Sequence, residues 1–162
     1  LGLNYLARNH AQAWRVDLTE HRRFSLSSET LAYVQHLAQP VAITVTVTED
    51  SENLEVRGLL EEYKNATAGS TGGRITVRYL DPYQNRREAE QLGVEVAGVI
   101  LLKCGDRPRA VPIGELYRMK DGQRDAFIGE QVITSALLEV SNPDPLHIYF
   151  LSGHGEIGRA HV

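Results

Sequence analysis

Val41-Ala42-Ile43-Thr44-Val45-Thr46-Val47-Thr48 decides the fold class. Valine and isoleucine hold every odd position and threonine or alanine every even one, a strict period of two in residues that favour extended backbone. The stretch is read as a strand. Downstream, Asp50 or Ser51 is the expected cap of a helix in which Val56, Leu59, Leu60 and Tyr63 recur at helical spacing. Gly69-Ser70-Thr71-Gly72-Gly73 interrupts that helix, and Ile75, Val77 and Tyr79 then alternate with Thr76, Arg78 and Leu80 until Asp81-Pro82. Two strands joined by a helix-long crossover make a βαβ unit, and the crossover makes them parallel.

Upstream of this unit, Ser27 has the chemistry of an N-cap and Leu26 can staple onto Leu31, while Leu31, Val34 and Leu37 supply a buried stripe before Pro40. Beyond it, Arg86 to Leu92 is a short helix that Gly93 terminates in the left-handed conformation. Val99-Ile100-Leu101-Leu102 is nearly continuous in apolar residues, as a strand covered on both faces requires. Gly105-Asp106 turns the chain, and Arg109 to Ile113 returns as an antiparallel partner. From Gly129, the residues Val132, Ile133, Ala136, Leu137 and Val140 define a closing helix that Asn142-Pro143-Asp144-Pro145 stops; Leu146 to Leu151 is a further strand.

Three parts follow: residues 1–40 as a lead-in segment and helix, 41–142 as an α/β domain with a mixed sheet, and 143–162 as the first strand of a second, truncated α/β domain. The order βαβ-α-ββ-α resembles the thioredoxin-like fold. Its strands are expected in the order second, first, third, fourth, with Ile43, Val45, Leu59, Leu60, Val77, Ile100, Ile133 and Leu137 in the core. Leu146 to Leu151 is too apolar for water and is expected on the main body or on a second copy of the chain, as in a homodimer.

Composition removes several function classes. Among 162 residues, 17 Lys and Arg face 21 Asp and Glu for a net charge of -4, which disfavours a nucleic-acid binder that must neutralise phosphates. The one cysteine, Cys104, excludes an internal disulfide, a CxxC pair and a multi-thiolate zinc site. The apolar runs Val41 to Val47 and Val96 to Leu102 are far shorter than the roughly 18 to 20 residues of a membrane span. Because the chain opens on Leu1 and stops just past a glycine-rich turn, it reads as a piece of a longer protein.

Thioredoxin-like enzymes carry a reactive cysteine where the first strand enters its helix, since a helix N-terminus stabilises a thiolate. Here that turn reads Thr48-Glu49-Asp50-Ser51-Glu52-Asn53, with three carboxylates and no cysteine, and Glu95-Val96-Ala97-Gly98 replaces the cis-proline. A redox-inactive binding or structural module is therefore expected, with Cys104 a small semi-buried residue. A thiol enzyme acting through Cys104 is the disfavoured alternative. Gly153, His154, Gly155 and Glu156 open a G-x-G-x-x-G turn ending at Gly158 directly after a strand, an arrangement able to hold a nucleotide or other anion on backbone N–H groups. A structural strand-exit turn is the preferred alternative there. His154, Glu156 and His161 are expected to be solvated and not to hold a metal, and no cofactor is expected. His21-Arg22-Arg23 and Arg86-Arg87 read as solvated faces, whereas Arg107 and Arg109 around Pro108 read as guards of an edge strand.

Arg15-Val16-Asp17-Leu18-Thr19, Arg23-Phe24-Ser25-Leu26-Ser27 leading into Thr30, Ile133-Thr134-Ser135-Ala136-Leu137, and Tyr149-Phe150-Leu151-Ser152-Gly153-His154-Gly155-Glu156 stand in a fixed order. Together they resemble the auxiliary, gliding-motility-type proteins of ABC transport systems, over most of the chain from about Asn4 to Glu156. The resemblance implies an extracytoplasmic domain behind an N-terminal membrane helix, facing the periplasm or outside, in a protein that works with an ABC permease and ATPase. It also implies a substrate-binding or accessory role toward a small molecule of undefined identity, and a second α/β domain beginning at the G-H-G-E strand.

Overall fold

The alternating stretch forms the inner strand of a four-stranded mixed sheet. The computed structural model describes residues 24–48 and 53–142. In chain order the elements are α1 (Ser28–Gln35), β1 (Val41–Thr46), α2 (Leu54–Ala66), β2 (Ile75–Leu80), α3 (Arg86–Leu92), β3 (Val99–Cys104) and β4 (Arg107–Pro112). A 3-10 turn (Ile113–Leu116), the strands β5 (Tyr117–Lys120) and β6 (Gln123–Phe127), and α4 (Gly129–Ser141) follow. The strand order is β2-β1-β3-β4, as the sequence predicts, with β5 and β6 as a separate ribbon. β1 runs parallel to β2 and antiparallel to β3, setting Val45 opposite both Tyr79 and Ile100. The Leu146–Leu151 strand expected from the sequence lies outside the described residues.

Both faces of β1 are used. Val41, Ile43 and Val45 join Ile100 and Leu102 in one apolar cluster with Val34, Leu60, Tyr63, Ile133 and Leu137 from the helices. On the alternate positions, Thr44 is 3% exposed and Thr46 fully buried. Such burial is tolerable only because each hydroxyl is bonded. Thr46 Oγ1 donates to the Val99 carbonyl at 3.1 Å and accepts from the Val99 N–H at 2.9 Å, while Thr44 Oγ1 accepts from Arg78 Nε at 3.0 Å. Val77 departs from the expected core: β2 is an outer strand, and its valine is only half-buried.

The helix ends show why the sequence reading held in one place and slipped in another. Ser27 caps α1, its Oγ accepting the Thr30 N–H at 3.3 Å. For α2 the cap is Asn53, whose Oδ1 accepts the Val56 N–H at 3.1 Å; the helix starts at Leu54, so the expected Asp50 and Ser51 stand too far upstream. α1 ends at Gln35 with His36 as its cap, earlier than Pro40, and Leu37 stays buried after the helix has stopped. Gly93 ends α3 at φ 71° as expected. At β4, Arg107 bonds the Asn142 carbonyl and Arg109 pairs with Glu139 at 3.2 Å, so both arginines tie the outer strand to the end of α4. Among the described residues no helix is long and apolar enough to cross a membrane.

The glycine loop joins α2 to β2 by close approach. Gly73 donates its N–H to the Leu37 carbonyl, and a Cβ on Gly73 would stand 2.0 Å from the Gln39 carbonyl oxygen. Gly69, in the same loop, has nothing within 4 Å of its would-be Cβ. Gly73→Ala is therefore expected to cost about 2 to 3 kcal/mol in urea unfolding. Gly69→Ala should stay within about 0.5 kcal/mol of the parent. Equal midpoints for the two would contradict the packing described.

Candidate interaction groove

A hydroxyl network at the meeting of three helices fixes the floor of the principal groove. Tyr63, fully buried on α2, donates from Oη to the Glu130 carbonyl at 3.1 Å and lies 2.6 Å from Thr134 Oγ1. Thr134 lies 3.3 Å from Thr30 Oγ1, which accepts from Ser27 Oγ at 3.0 Å. The circuit closes where the Ser27 N–H donates to Glu130 Oε1 at 2.8 Å. Burial pushes the Tyr63 hydroxyl far above the ordinary tyrosine range. For Glu130, partial desolvation works upward, but the hydrogen bonds from Ser27 and Thr30 outweigh it and hold the carboxyl below its usual value.

The opposite wall is the ribbon of β5 and β6, which the sequence reading missed. Asp121 at φ 52° and Gly122 at φ 76° form its turn, and two consecutive positive angles suit a two-residue hairpin. Tyr117 holds the ribbon to α2: its hydroxyl donates to Glu55 Oε2 at 2.9 Å and accepts from Asn53 Nδ2 at 2.8 Å. The Phe127 ring stands 5.2 Å from Tyr117 and 5.6 Å from Phe24, giving an aromatic cluster across the groove. Arg124 lies over the Tyr117 ring at 4.3 Å, and Arg118 pairs with Asp125 at 2.7 Å. Between these walls runs an open groove of about 1060 Å³.

This arrangement suits recognition. Its carboxylates Glu130 and Glu55 are engaged in structural bonds, and the described residues contain no cluster of His, Cys, Asp and Glu able to hold a metal. Gly153, His154, Gly155 and Glu156 lie outside the described residues. Cys104 is fully buried, not semi-buried, with Sγ 3.5 Å from Gln39 Oε1. A thiol enclosed in this way is not presented to solvent, which disfavours it as a nucleophile. The one sequence signal for the groove was Asp121-Gly122, a dipeptide strongly associated with hairpins.

A family model described as a domain of unknown function (DUF7088) matches residues 20–112, more than half of the chain. The match covers α1 through β4 and stops short of the ribbon and α4. No curated protein matches the sequence.

Two measurements check the packing around the groove. Tyr63→Phe removes the bonds to Glu130 and Thr134 and is expected to lower stability by about 1 to 2 kcal/mol. The folded chain resists Tyr63 ionisation, so that contribution is complete below the ordinary tyrosine value of 10.0 and declines as pH rises above it. Tyr63→Phe should accordingly lose less stability than the parent between pH 9 and 11. A thiol reagent should label Cys104 in denaturant and leave the native chain unlabelled on the same timescale; rapid native labelling would contradict its enclosure.

Proposed function

The chain belongs to the DUF7088 family, and on that premise we propose that it is a non-enzymatic accessory domain of a membrane-anchored auxiliary protein in an ABC transport system. It recognises a partner or solute for the permease and ATPase subunits, and it works on the extracytoplasmic side of the cell membrane. The D-L-T, R-F-S-L-S and G-H-G-E elements, in that order, support the transport assignment. The observation that carries the recognition role is the groove itself: an open cleft between α1, the β5–β6 ribbon and α4, with aromatic rings across it and with Glu130 and Glu55 positioned by hydrogen bonds from Ser27 and Tyr117. The enclosure of Cys104 and the absence of a cysteine between Thr48 and Asn53 fit a thioredoxin-like scaffold that has lost redox chemistry.

Affinity purification of the full-length protein from native membranes tests this assignment. An ABC ATPase and permease should be recovered at near-stoichiometric levels in mild detergent. Recovery of the protein without any ABC subunit, at several detergent strengths, would remove the basis for the reading.

A further inference from the structure

We infer that a smaller cavity, at the carboxyl ends of the parallel strands β1 and β2, binds a compact uncharged molecule about one ring in size that carries a single hydroxyl or carbonyl. The site shares no lining residue with the groove, and the inference stands apart from the transport assignment. Val45 and Val47 reach it from the end of β1, Tyr79 from β2, Val56 and Arg57 from the opening of α2, and Ile113 from just past β4. Open α/β sheets bind ligands in this position, outside the carboxyl ends of their strands.

Size and lining narrow the ligand. The cavity holds about 190 Å³. An apolar cavity of roughly 150 Å³ admits benzene, whereas drug-sized ligands need roughly 300 Å³ or more, so a nucleotide or a peptide is too large. Three valines and an isoleucine stand in the lining, where an ionised ligand would lose its water without recompense. Arg57 does not reverse that preference, because its guanidinium is already engaged, 5.0 Å over the Tyr79 ring.

The polar end of the ligand is set by Tyr79. Its hydroxyl is buried and makes no hydrogen bond among the described residues, an unfavourable state for a group that both donates and accepts. Burial keeps it protonated against the pull of the Arg57 guanidinium. Asn53, also in the lining, already uses both ends of its amide, on Val56 and on Tyr117. Because the Tyr79 side chain is only half-buried, its ring can tip to bring the hydroxyl to a ligand oxygen in the cavity, which supplies the missing bond.

Methyl-resolved NMR on the full 162-residue chain tests the inference with phenol, toluene and benzoate as probes. Phenol should give saturable shifts at the methyl groups of Val45, Val47, Val56 and Ile113, and benzoate should bind more weakly than phenol at neutral pH. Tyr79→Phe removes no bond and should fold like the parent, but its ratio of phenol to toluene affinity should fall about fivefold, the effect of one hydrogen bond. Val47→Phe, at a half-buried position that accepts a larger ring, should fill the cavity and weaken both neutral probes at least about tenfold.

Shifts centred on Leu59 and Ile128 instead would put the probes in the groove and overturn the inference. An absence of saturable shifts, an unchanged ratio in Tyr79→Phe or unchanged affinities in Val47→Phe would also overturn it. Tighter binding of benzoate than of phenol overturns it in favour of an anion held at Arg57. Recovery of ABC subunits from membranes bears on the accessory reading alone, so either conclusion can fail while the other stands.

Discussion

The bond between the buried Tyr63 hydroxyl and Thr134 is the contact on which the helical face depends. A phenol placed at 0% exposure needs a partner for its oxygen, because an unpaired buried hydroxyl costs about 1 to 3 kcal/mol. α4 supplies both partners, the Thr134 hydroxyl and the Glu130 carbonyl, and thereby fixes its own rotation and its distance from α2. Thr134 reaches on to Thr30, and Glu130 to the Ser27 N–H, so α1 is brought into the same arrangement. Apolar burial drives these helices onto the sheet, but burial is not directional. The hydroxyls choose one packing among the many that an apolar surface allows.

That selection also shapes the groove. Because Glu130 is anchored to the start of α1, the first turn of α4 cannot close over the aromatic residues beneath it. The ribbon closes the other side through Tyr117, which reaches Asn53 and Glu55 at the opening of α2. Asn53 therefore serves twice, capping its helix through Oδ1 and holding the ribbon through Nδ2.

The sheet was legible because its side chains report their own geometry. Val41 to Thr48 alternates, Val99 to Leu102 does not, and those patterns alone place two neighbouring strands. The closing helix was legible for the same reason, through Ile133, Ala136, Leu137 and Val140. β5 and β6 were missed because Arg118, Met119, Lys120, Gln123, Arg124 and Asp125 are all exposed, leaving no buried face to impose a period. Gly73 was legible as a loop residue, although its need to meet two carbonyl oxygens was not. The groove was illegible for a different reason: its determining bond, from Ser27 to Glu130, joins residues 103 positions apart, and no local pattern records such a meeting.

Pro108 and Pro112 give the sheet a direction of growth. Both stand on β4, an outer strand, and a proline has no N–H with which to bind a neighbour. β2, the other outer strand, contains no proline and has no outer neighbour among the described residues. Strand exchange, templated misassembly or fusion of another sheet would therefore proceed from β2 and be resisted at β4. An engineer wishing to polymerise this domain, or to prevent it from polymerising, has one side of the molecule to work on.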